Sequence, residues 1–144
     1  MKRYDVVIVG TGVAGLFCAL HLPADRKVLI ICKDTPDKSD SYLAQGGICR
    51  MQGEEDFQSF FEDTMRAGHG KNNPDAVECM IRSSVGVIDE LVSLGVGFAR
   101  SANGSLATTR EGGHSRNRIC FHKDCTGKEI TSHLLDKVST LNNV

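Results

Sequence analysis

Residues 4–15, which read YDVVIVGTGVAG, decide the fold. Their apolar, β-branched run ends at Gly10, and this pattern predicts a buried strand. The residues from Leu16 to Leu22 are apolar at helical density, and residues 27–32 (KVLIIC) predict a second buried strand. Together they predict a β-turn-α-β unit with two parallel, neighbouring strands joined by a right-handed crossover.

The turn in this unit has the glycine spacing G-x-G-x-x-G, at Gly10, Gly12 and Gly15. The first glycine permits a sharp turn, the second lets the backbone approach a pyrophosphate, and the third lets helix and strand pack closely. Phosphate oxygens would then accept hydrogen bonds from the N–H groups at the helix N-terminus. A glycine turn kept for packing alone is the alternative, but the flanking strand and helix favour a dinucleotide site.

The end of the second predicted strand departs from the usual dinucleotide pattern. An acidic residue there normally binds the ribose hydroxyls, but this chain has Cys32 followed by Lys33, and Asp34 comes two residues late. A thiol is a poor hydrogen-bond partner for a diol. This argues against a simple NAD dehydrogenase.

The middle of the chain predicts a long loop and two helices. Residues 33–53 are polar and rich in Ser, Asp and Gly, which predicts a loop without regular structure. Residues 54–67 carry Phe57, Phe60, Phe61 and Met65 at helical spacing. This stripe predicts a core-facing amphipathic helix, with an exposed partner-binding face as the alternative.

The second of these helices and the remaining elements are marked by turn and cap residues. Asn73-Pro74-Asp75 predicts a helix start, and Gly95 its end. Short strands are predicted at 96–99 and 106–108 around an Asn103-Gly104 turn, and another at 119–121. Thr126 and Glu129 fit a capping box that opens a last helix.

Composition excludes several classes of protein. Seventeen Lys and Arg oppose eighteen Asp and Glu, so there is no electrostatic case for nucleic acid or an anionic membrane. No apolar run is long enough to span a bilayer, and the N-terminus lacks a signal-peptide pattern, which predicts a cytoplasmic protein. The six cysteines form no C-x-x-C pair, which predicts free, largely buried thiols.

Two further motifs carry a family resemblance. They are SYLAQGGI at 41–48 and TREGGHS at 109–115. With the glycine turn and the DCTGKEI stretch at 124–130, they resemble the L-aspartate oxidase family, a branch of the flavoproteins that includes succinate dehydrogenase and fumarate reductase. The glycine turn and the SYLAQGGI motif are shared across that larger family, and the TREGGHS loop selects aspartate oxidase.

The resemblance implies FAD as cofactor. Relatives that bind flavin covalently carry a His where this chain has Asp40, so the resemblance implies a non-covalent, dissociable flavin. The pyrophosphate is expected on the glycine turn and the flavin ring near residues 41–47. The implied cofactor-binding residues are Gly10, Thr11, Gly12, Val13, Ala14, Gly15, Lys33, Ser41, Tyr42, Leu43, Ala44, Gln45, Gly46 and Gly47.

The resemblance also implies a reaction. L-Aspartate is oxidised to iminoaspartate on the route to quinolinate and NAD, and oxygen or fumarate reoxidises the flavin; quinolinate synthase is a candidate partner. Glu111 is the expected substrate-binding residue, because its carboxylate can pair with the α-ammonium that aspartate has and succinate lacks. His114 is the second expected substrate-site residue, with a hydrogen bond that orders the same loop rather than a role as the catalytic base. A solvent-facing loop acid is the alternative reading of Glu111.

The predicted fold class is therefore α/β, an incomplete Rossmann-like FAD-binding domain. We expect residues 1–144 to be the N-terminal part of that domain, without the capping and C-terminal domains that hold the substrate-binding arginines of the family. No catalytic residue is assigned within this chain, and Arg110, Arg116 and Arg118 are not assigned the catalytic arginine role. The two predicted strands lack a third partner, which predicts an unpaired sheet edge.

Three alternatives stay open. A fumarate reductase or succinate dehydrogenase-type flavoprotein is disfavoured by Glu111 and by the missing flavin-linking His. A non-catalytic nucleotide-binding or interaction module is the second. The third is a zinc site at Cys120, His122 and Cys125, which lacks a clear fourth ligand, so no metal is assigned.

Overall fold

The N-terminal strand–turn–helix–strand unit is present in the computed structural model. Strand β1 spans Val6–Val9, helix α1 spans Val13–Leu20, and strand β2 spans Val28–Ile31. The two strands pair in parallel, with Val6 opposite Val28 and Val9 opposite Ile31. The predicted β-turn-α-β unit is confirmed. The bounds of its elements differ from the predicted ones by a few residues.

The structure describes residues 2–144, which divide into two units. The first unit comprises residues 2–46, 94–96 and 125–144, and the second comprises residues 47–93 and 97–124.

The first unit contains β1, β2 and three helices. Helix α2 spans Asp40–Leu43, and helix α5 spans Thr126–Ser139. Helix α5 packs against both α1 and α2. Its second residue, Gly127, lies against the backbone carbonyls of Ser41 and Ala44, and the Gly127 N–H donates to the Ala44 carbonyl at 3.0 Å. Close backbone contact at this glycine therefore seats α5 on α2.

The strands of the first unit are less buried than predicted. Val7 is 54% exposed and Val9 is 80% exposed. Among the described residues, β1 pairs only with β2. The expected unpaired sheet edge is therefore present, and the prediction of a fully buried strand was wrong because nothing in the described chain covers these valines.

The second unit holds a small antiparallel sheet and two helices. Strands β3 (Ile48–Cys49), β4 (Thr108–Thr109) and β5 (Ile119–Cys120) follow the order β3-β5-β4. Helix α3 spans Phe57–Ala67, helix α4 spans Pro74–Ser93, and the two pack together. The aromatic stripe of α3 contributes to the core, as predicted. The buried members of that cluster are Met51, Phe60, Val77 and Ile81.

The predicted start of α4 is confirmed. The Asn73 side-chain oxygen accepts hydrogen bonds from the Asp75 and Ala76 N–H groups at 2.9 and 3.3 Å. Helix α4 ends at Ser93, and Gly95 follows with φ +101°, a conformation that favours glycine.

Several local predictions need correction. The segment predicted as a loop at 33–53 contains a 3₁₀ turn at Pro36–Lys38, helix α2 and strand β3. Around Asn103-Gly104 there is an isolated bridge between Arg100 and Leu106, and the regular strand comes later, at Thr108–Thr109. These elements are too short to produce a periodic pattern.

The predicted N-cap position of the last helix is wrong by one residue. Helix α5 begins at Thr126 itself, with Cys125 at the N-cap position and no side-chain cap hydrogen bond there. Thr126 is 1% exposed and belongs to the buried part of the helix.

The cysteines are free, as predicted, but less buried than expected. Cys18, Cys32 and Cys79 are exposed, whereas Cys120 is buried. Cys18 and Cys79 lie on the outward faces of their helices.

A substitution at Gly127 tests the α2–α5 packing. Gly127→Ala should lower the free energy of unfolding by about 2 kcal/mol, because the new Cβ would lie 2.6 Å from the Ala44 carbonyl oxygen and closer still to that of Ser41. Urea unfolding measures the change. Gly86→Ala in α4 is the matched control: its Cβ meets nothing within 4 Å, so it should stabilise the chain by up to about 1 kcal/mol. Equal changes in the free energy of unfolding for the two substitutions would contradict close packing of α5 on α2 at Gly127.

Candidate functional site

The glycine turn follows β1 with the geometry that its spacing predicts. Gly10 has φ +109°, which allows the sharp turn out of the strand. A Cβ at Gly15 would lie 2.6 Å from the Gly10 carbonyl oxygen and 3.1 Å from Ile8 Cγ2. Gly15 therefore permits close approach of α1 to the strand and turn, which is the role that the motif predicts for its third glycine.

A groove of about 790 Å³ lies beside this turn. Three separate segments of the first unit line it: the glycine turn, the residues after β2, and helix α2 with the residues before it. The lining residues include Gly10, Thr11, Gly12, Lys33, Lys38, Ser41 and Leu43. The structure thus brings the predicted residues Lys33 and Ser41 to the same groove as the glycine turn.

Ser41 joins two of these segments directly. Its Oγ accepts a hydrogen bond from the Val13 N–H at 3.1 Å, at the first residue of α1. A Cβ at Gly12 would lie 2.9 Å from the same oxygen. The space above Gly12 is therefore narrow, and only a residue without a side chain leaves it open.

The groove has the donors that a pyrophosphate requires. Gly12 at the N-cap of α1 has no side chain and the first turn of α1 has no acidic residue, so the positive end of the helix dipole faces the groove. Ser41 Oγ already accepts from the Val13 N–H, and Asp34 and Asp40 also line the groove. Lys33 and Lys38 add positive charge to the lining, although Lys38 also pairs with Asp34 at 3.1 Å. Backbone dipole, lysines and a hydroxyl together suit a diphosphate.

The remaining predicted cofactor residues lie in different places. Val13, Ala14 and Gly15 belong to α1, and Tyr42 belongs to α2, where Lys128 lies 5.9 Å from its ring centre. Ala44, Gln45 and Gly46 continue the first unit. Gly47 belongs to the second unit, where a Cβ would meet the Cys120 carbonyl and the Ile119 side chain. The 41–47 stretch is therefore shared between the two units.

Glu111 and His114 lie in a hairpin loop between β4 and β5. The His114 N–H donates to the Glu111 carbonyl at 3.3 Å, and Gly112 has φ +53° within that turn. Glu111 is exposed, and its negative charge acts to raise the pKa of both His114 and Cys49. The loop therefore presents a carboxylate to solvent close to a histidine and a thiol.

A buried arginine, Arg118, lies behind the loop, and no role was predicted for it from the sequence. Arg118 is fully buried and donates to Asp56 through Nη2 at 2.7 Å and Nε at 3.2 Å. Its Nη1 donates to Asp63 at 2.7 Å and contacts His114 Nδ1 at 3.1 Å, and Nη2 also donates to Ser59 Oγ at 3.0 Å. All three guanidinium nitrogens are engaged, so Arg118 is not available to bind a substrate.

His114 is held as a neutral ring in this cluster. Since an arginine can only donate, His114 Nδ1 accepts a hydrogen bond from Arg118 Nη1, and the ring hydrogen is therefore on Nε2, 3.3 Å from Cys49 Sγ. Burial lowers the pKa of His114, and the nearby Arg118 charge lowers it further. The ring also packs edge-on against Phe60, with centroids 5.7 Å apart. These contacts agree with the predicted loop-ordering role.

The acidic partners stay ionised although they are buried. Burial raises the pKa of the Asp63 carboxyl, but hydrogen bonds from Ser115, Arg118 and Arg66 outweigh this effect and hold the pKa well below its usual range. Burial raises the pKa of Asp56 as well, but the hydrogen bonds and positive charge of Arg118 lower it, and the net result is a lowered pKa. One signal for these residues was available: Asp56 and Asp63 fall on the side of the helical stripe where only apolar residues are expected.

An apolar cavity of about 550 Å³ adjoins the loop within the second unit. Gly47, Cys49, Phe60, Ile88 and His114 are among the residues that line it. Burial raises the pKa of the Cys49 thiol, so Cys49 is a neutral neighbour of His114 and not a nucleophile.

The zinc alternative gains no support from the geometry. Within residues 2–144, no group of three or more His, Cys, Asp or Glu side chains is arranged to hold a metal ion. Over the same residues, no helix combines the length and apolar character needed to cross a lipid bilayer.

Acidification should lower the free energy of unfolding in two steps. Because the pKa of His114 is lowered in the fold, the unfolded chain binds more protons below about pH 6.5, and stability falls from there towards the folded pKa. The lowered carboxyl pKa values of Asp56 and Asp63 stabilise the fold above about pH 4, and this stability is lost as the pH drops through their folded values. Urea unfolding at pH 7.5, 5.5 and 3 measures both steps. His114→Gln should remove the first step alone; if that step persists, another group produces it.

Comparisons with known proteins agree with this geometry. The chain is 46% identical to the L-aspartate oxidase of Clostridium perfringens over 145 residues, and 42% identical to that of Nostoc sp. over 144 residues. These alignments cover 100% and 99% of this chain, but only 33% and 25% of the relatives. The chain therefore spans about a third or less of the length of the curated relatives it matches.

Solved structures show the same fold. A mutant of E. coli quinol fumarate reductase superposes with a TM-score of 0.92 at 27% identity, over 99% of this chain and 25% of that one. The Mycobacterium smegmatis Sdh1 complex in its apo form gives 0.84 at 31% identity, over 93% and 23%. The family model for the FAD binding domain matches residues 5–143, and the chain belongs to that family.

Proposed function

We propose that the protein formed with this chain oxidises L-aspartate to iminoaspartate with non-covalently bound FAD, a step of NAD biosynthesis through quinolinate. The groove at the glycine turn supports FAD as the cofactor, because the N-terminal dipole of α1, Lys33, Lys38 and Ser41 all lie at that groove. The identity of 46% to an L-aspartate oxidase over the whole chain supports the substrate. Oxygen or fumarate would accept the electrons, quinolinate synthase would take up the product, and the reaction would occur in the cytoplasm.

Residues of the first unit would hold the cofactor. The N–H groups at the start of α1 and the turn residues Thr11 and Gly12 would bind the pyrophosphate. Lys33 follows β2 at the same groove and would neutralise its charge. Asp40 stands at the position of the flavin-linking His of covalent relatives, so nothing there would attach the flavin. The chemistry that FAD supplies when bound is acceptance of a hydride equivalent from the substrate Cα.

Glu111 would recognise the substrate amino group. Its carboxylate is exposed on a loop held at its base by buried ion pairs, so it is available for a charged partner. An α-ammonium would pair with it, whereas succinate would leave it unpaired. His114 carries its ring hydrogen on Nε2, and its Nδ1 already accepts a hydrogen bond from Arg118, so His114 would order the loop and not act as a catalytic base.

A fumarate reductase or succinate dehydrogenase-type flavoprotein is the second candidate. The superposition on E. coli quinol fumarate reductase supports it, with a TM-score of 0.92. Its substrates carry no ammonium group, so Glu111 would then have no role in binding. Activity on aspartate against activity on succinate separates the two candidates.

The first experiment tests the cofactor site. The purified chain is incubated with FAD, desalted, and its flavin absorbance is recorded. Gly12→Val should abolish flavin retention, because a branched side chain would fill the approach beside Ser41 Oγ. Gly86→Ala, which meets nothing within 4 Å, is the control and should retain as much flavin as the unaltered chain. Undiminished flavin in Gly12→Val would refute the placement of the pyrophosphate. A colourless unaltered chain would leave the family assignment standing, and would mean that residues outside this chain are needed to retain flavin and that the chain alone is an inactive fragment.

The second experiment tests Glu111. A hybrid enzyme is made in which residues 1–144 replace the matching third of the Clostridium perfringens L-aspartate oxidase. Glu111→Gln should lower kcat/KM for aspartate by about tenfold or more, because a charge-assisted hydrogen bond is lost, with flavin content unchanged. Glu62→Gln, an exposed acid on α3, is the matched control. Equal kcat/KM in both variants would remove Glu111 from substrate binding.

A further inference from the structure

We infer that Asp63 on α3 is a positioning residue that holds the 111–115 loop and so places Glu111 against the substrate. The inference rests on the proposed function for the role of Glu111, but the anchoring itself rests on contacts within the second unit. No sequence motif contains Asp63, which precedes the loop by about fifty residues.

One face of α3 meets three successive residues of the loop. Phe60, Asp63 and Arg66 are spaced three apart, so their side chains lie along one side of the helix. The Phe60 ring packs on the His114 ring, and Arg66 Nη2 donates to the Gly113 carbonyl at 3.2 Å. Asp63 makes the closest contacts of the set.

One carboxylate oxygen of Asp63 accepts two hydrogen bonds from the loop. Its Oδ2 accepts from the Ser115 N–H at 2.6 Å and from Ser115 Oγ at 2.7 Å. Both are hydrogen bonds to an ionised, buried carboxylate, which is the strong class in proteins. Ser115 is thereby fixed in backbone and side chain at once.

The anchor is itself rigid. Asp63 is 4% exposed and also accepts from Arg118 Nη1 at 2.7 Å, and Arg66 pairs with its other oxygen. The same Arg118 nitrogen contacts His114 Nδ1, so Arg118 reaches the loop one residue earlier. Asp63 and Arg118 therefore hold His114 and Ser115 from the protein interior.

The loop needs such an anchor because of its composition. Gly112 and Gly113 separate Glu111 from His114, and glycines leave the backbone many accessible conformations. The turn hydrogen bond from His114 to Glu111 is 3.3 Å long. With Ser115 fixed at one end and Thr109 paired with Ile119 at the other, Glu111 occupies a defined place. A misplacement of about 1 Å can cost on the order of a hundredfold in rate.

The test removes the loop side of the contact, because Asp63 itself is too buried to replace without risk to folding. Ser115→Ala deletes the hydroxyl that binds Asp63, and Ser115→Thr retains it. Ser105→Ala is the matched control, since Ser105 also bonds through N–H and Oγ to one side-chain oxygen, that of Asn103, at 3.1 and 2.7 Å.

The first measurement is amide hydrogen exchange in the full chain. Ser115→Ala should speed exchange at residues 113–115 by about tenfold, with α3 unchanged, and Ser115→Thr should restore the slow rate. Trypsin cleavage after Arg110 and Arg116, which flank the loop, should accelerate in parallel. Unchanged exchange in Ser115→Ala would overturn the anchoring.

The second measurement uses the hybrid enzyme. Ser115→Ala should raise the KM for aspartate by about tenfold, with flavin content and kcat at saturating aspartate unchanged, and Ser115→Thr should restore the KM. A loosened loop with an unaltered KM would overturn the positioning role while leaving the proposed function intact. An unaltered hybrid that contains flavin but does not oxidise aspartate would overturn the proposed function, and hydrogen exchange would still decide the anchoring.

Discussion

The second unit depends on the burial of one charge. Arg118 has no exposed surface, and a guanidinium cannot become neutral in a protein, so the surrounding elements must supply acceptors. Asp56 and Asp63 supply them from the start and the middle of the α3 segment. Arg118 also binds through its backbone, since its N–H donates to Thr109 and its carbonyl accepts from Arg50. A single residue thereby links the small sheet, α3 and the loop that carries Glu111.

Packing in the first unit depends on glycines at two close contacts between the elements. Gly15 permits α1 to approach the turn after β1, and Gly127 permits α5 to rest on the carbonyls of α2. At each place a carbonyl oxygen occupies the space that a Cβ would need. These approaches shape the groove, because α2 carries Ser41 to the N-terminus of α1. Small residues and buried charges thus position the two candidate sites by different physical means.

The sequence predicted those elements whose structure is determined by residues close together along the chain. The β1–α1–β2 unit, the Asn73 cap and the α3 stripe each lie within a short window and have a periodic or capping signal. The pairing of Arg118 with Asp56 and Asp63 could not be predicted, since these acids precede it by 62 and 55 residues. Their place on the apolar side of the α3 stripe marks them as unusual but does not identify their partner. The burial of β1 was overestimated for a related reason. An apolar sequence shows that a strand is stabilised by burial, but whether its side chains are buried depends on elements far away in the sequence.

The uncovered valines of β1 have a consequence for how the chain behaves at high concentration. Val7 and Val9 stand on a strand with an open hydrogen-bonding edge, the arrangement that pairs most readily with a strand from another molecule. No proline or lysine interrupts residues 6–9 to discourage such pairing. This edge therefore favours association between copies of the isolated chain, and additives that occupy apolar surface should oppose that association.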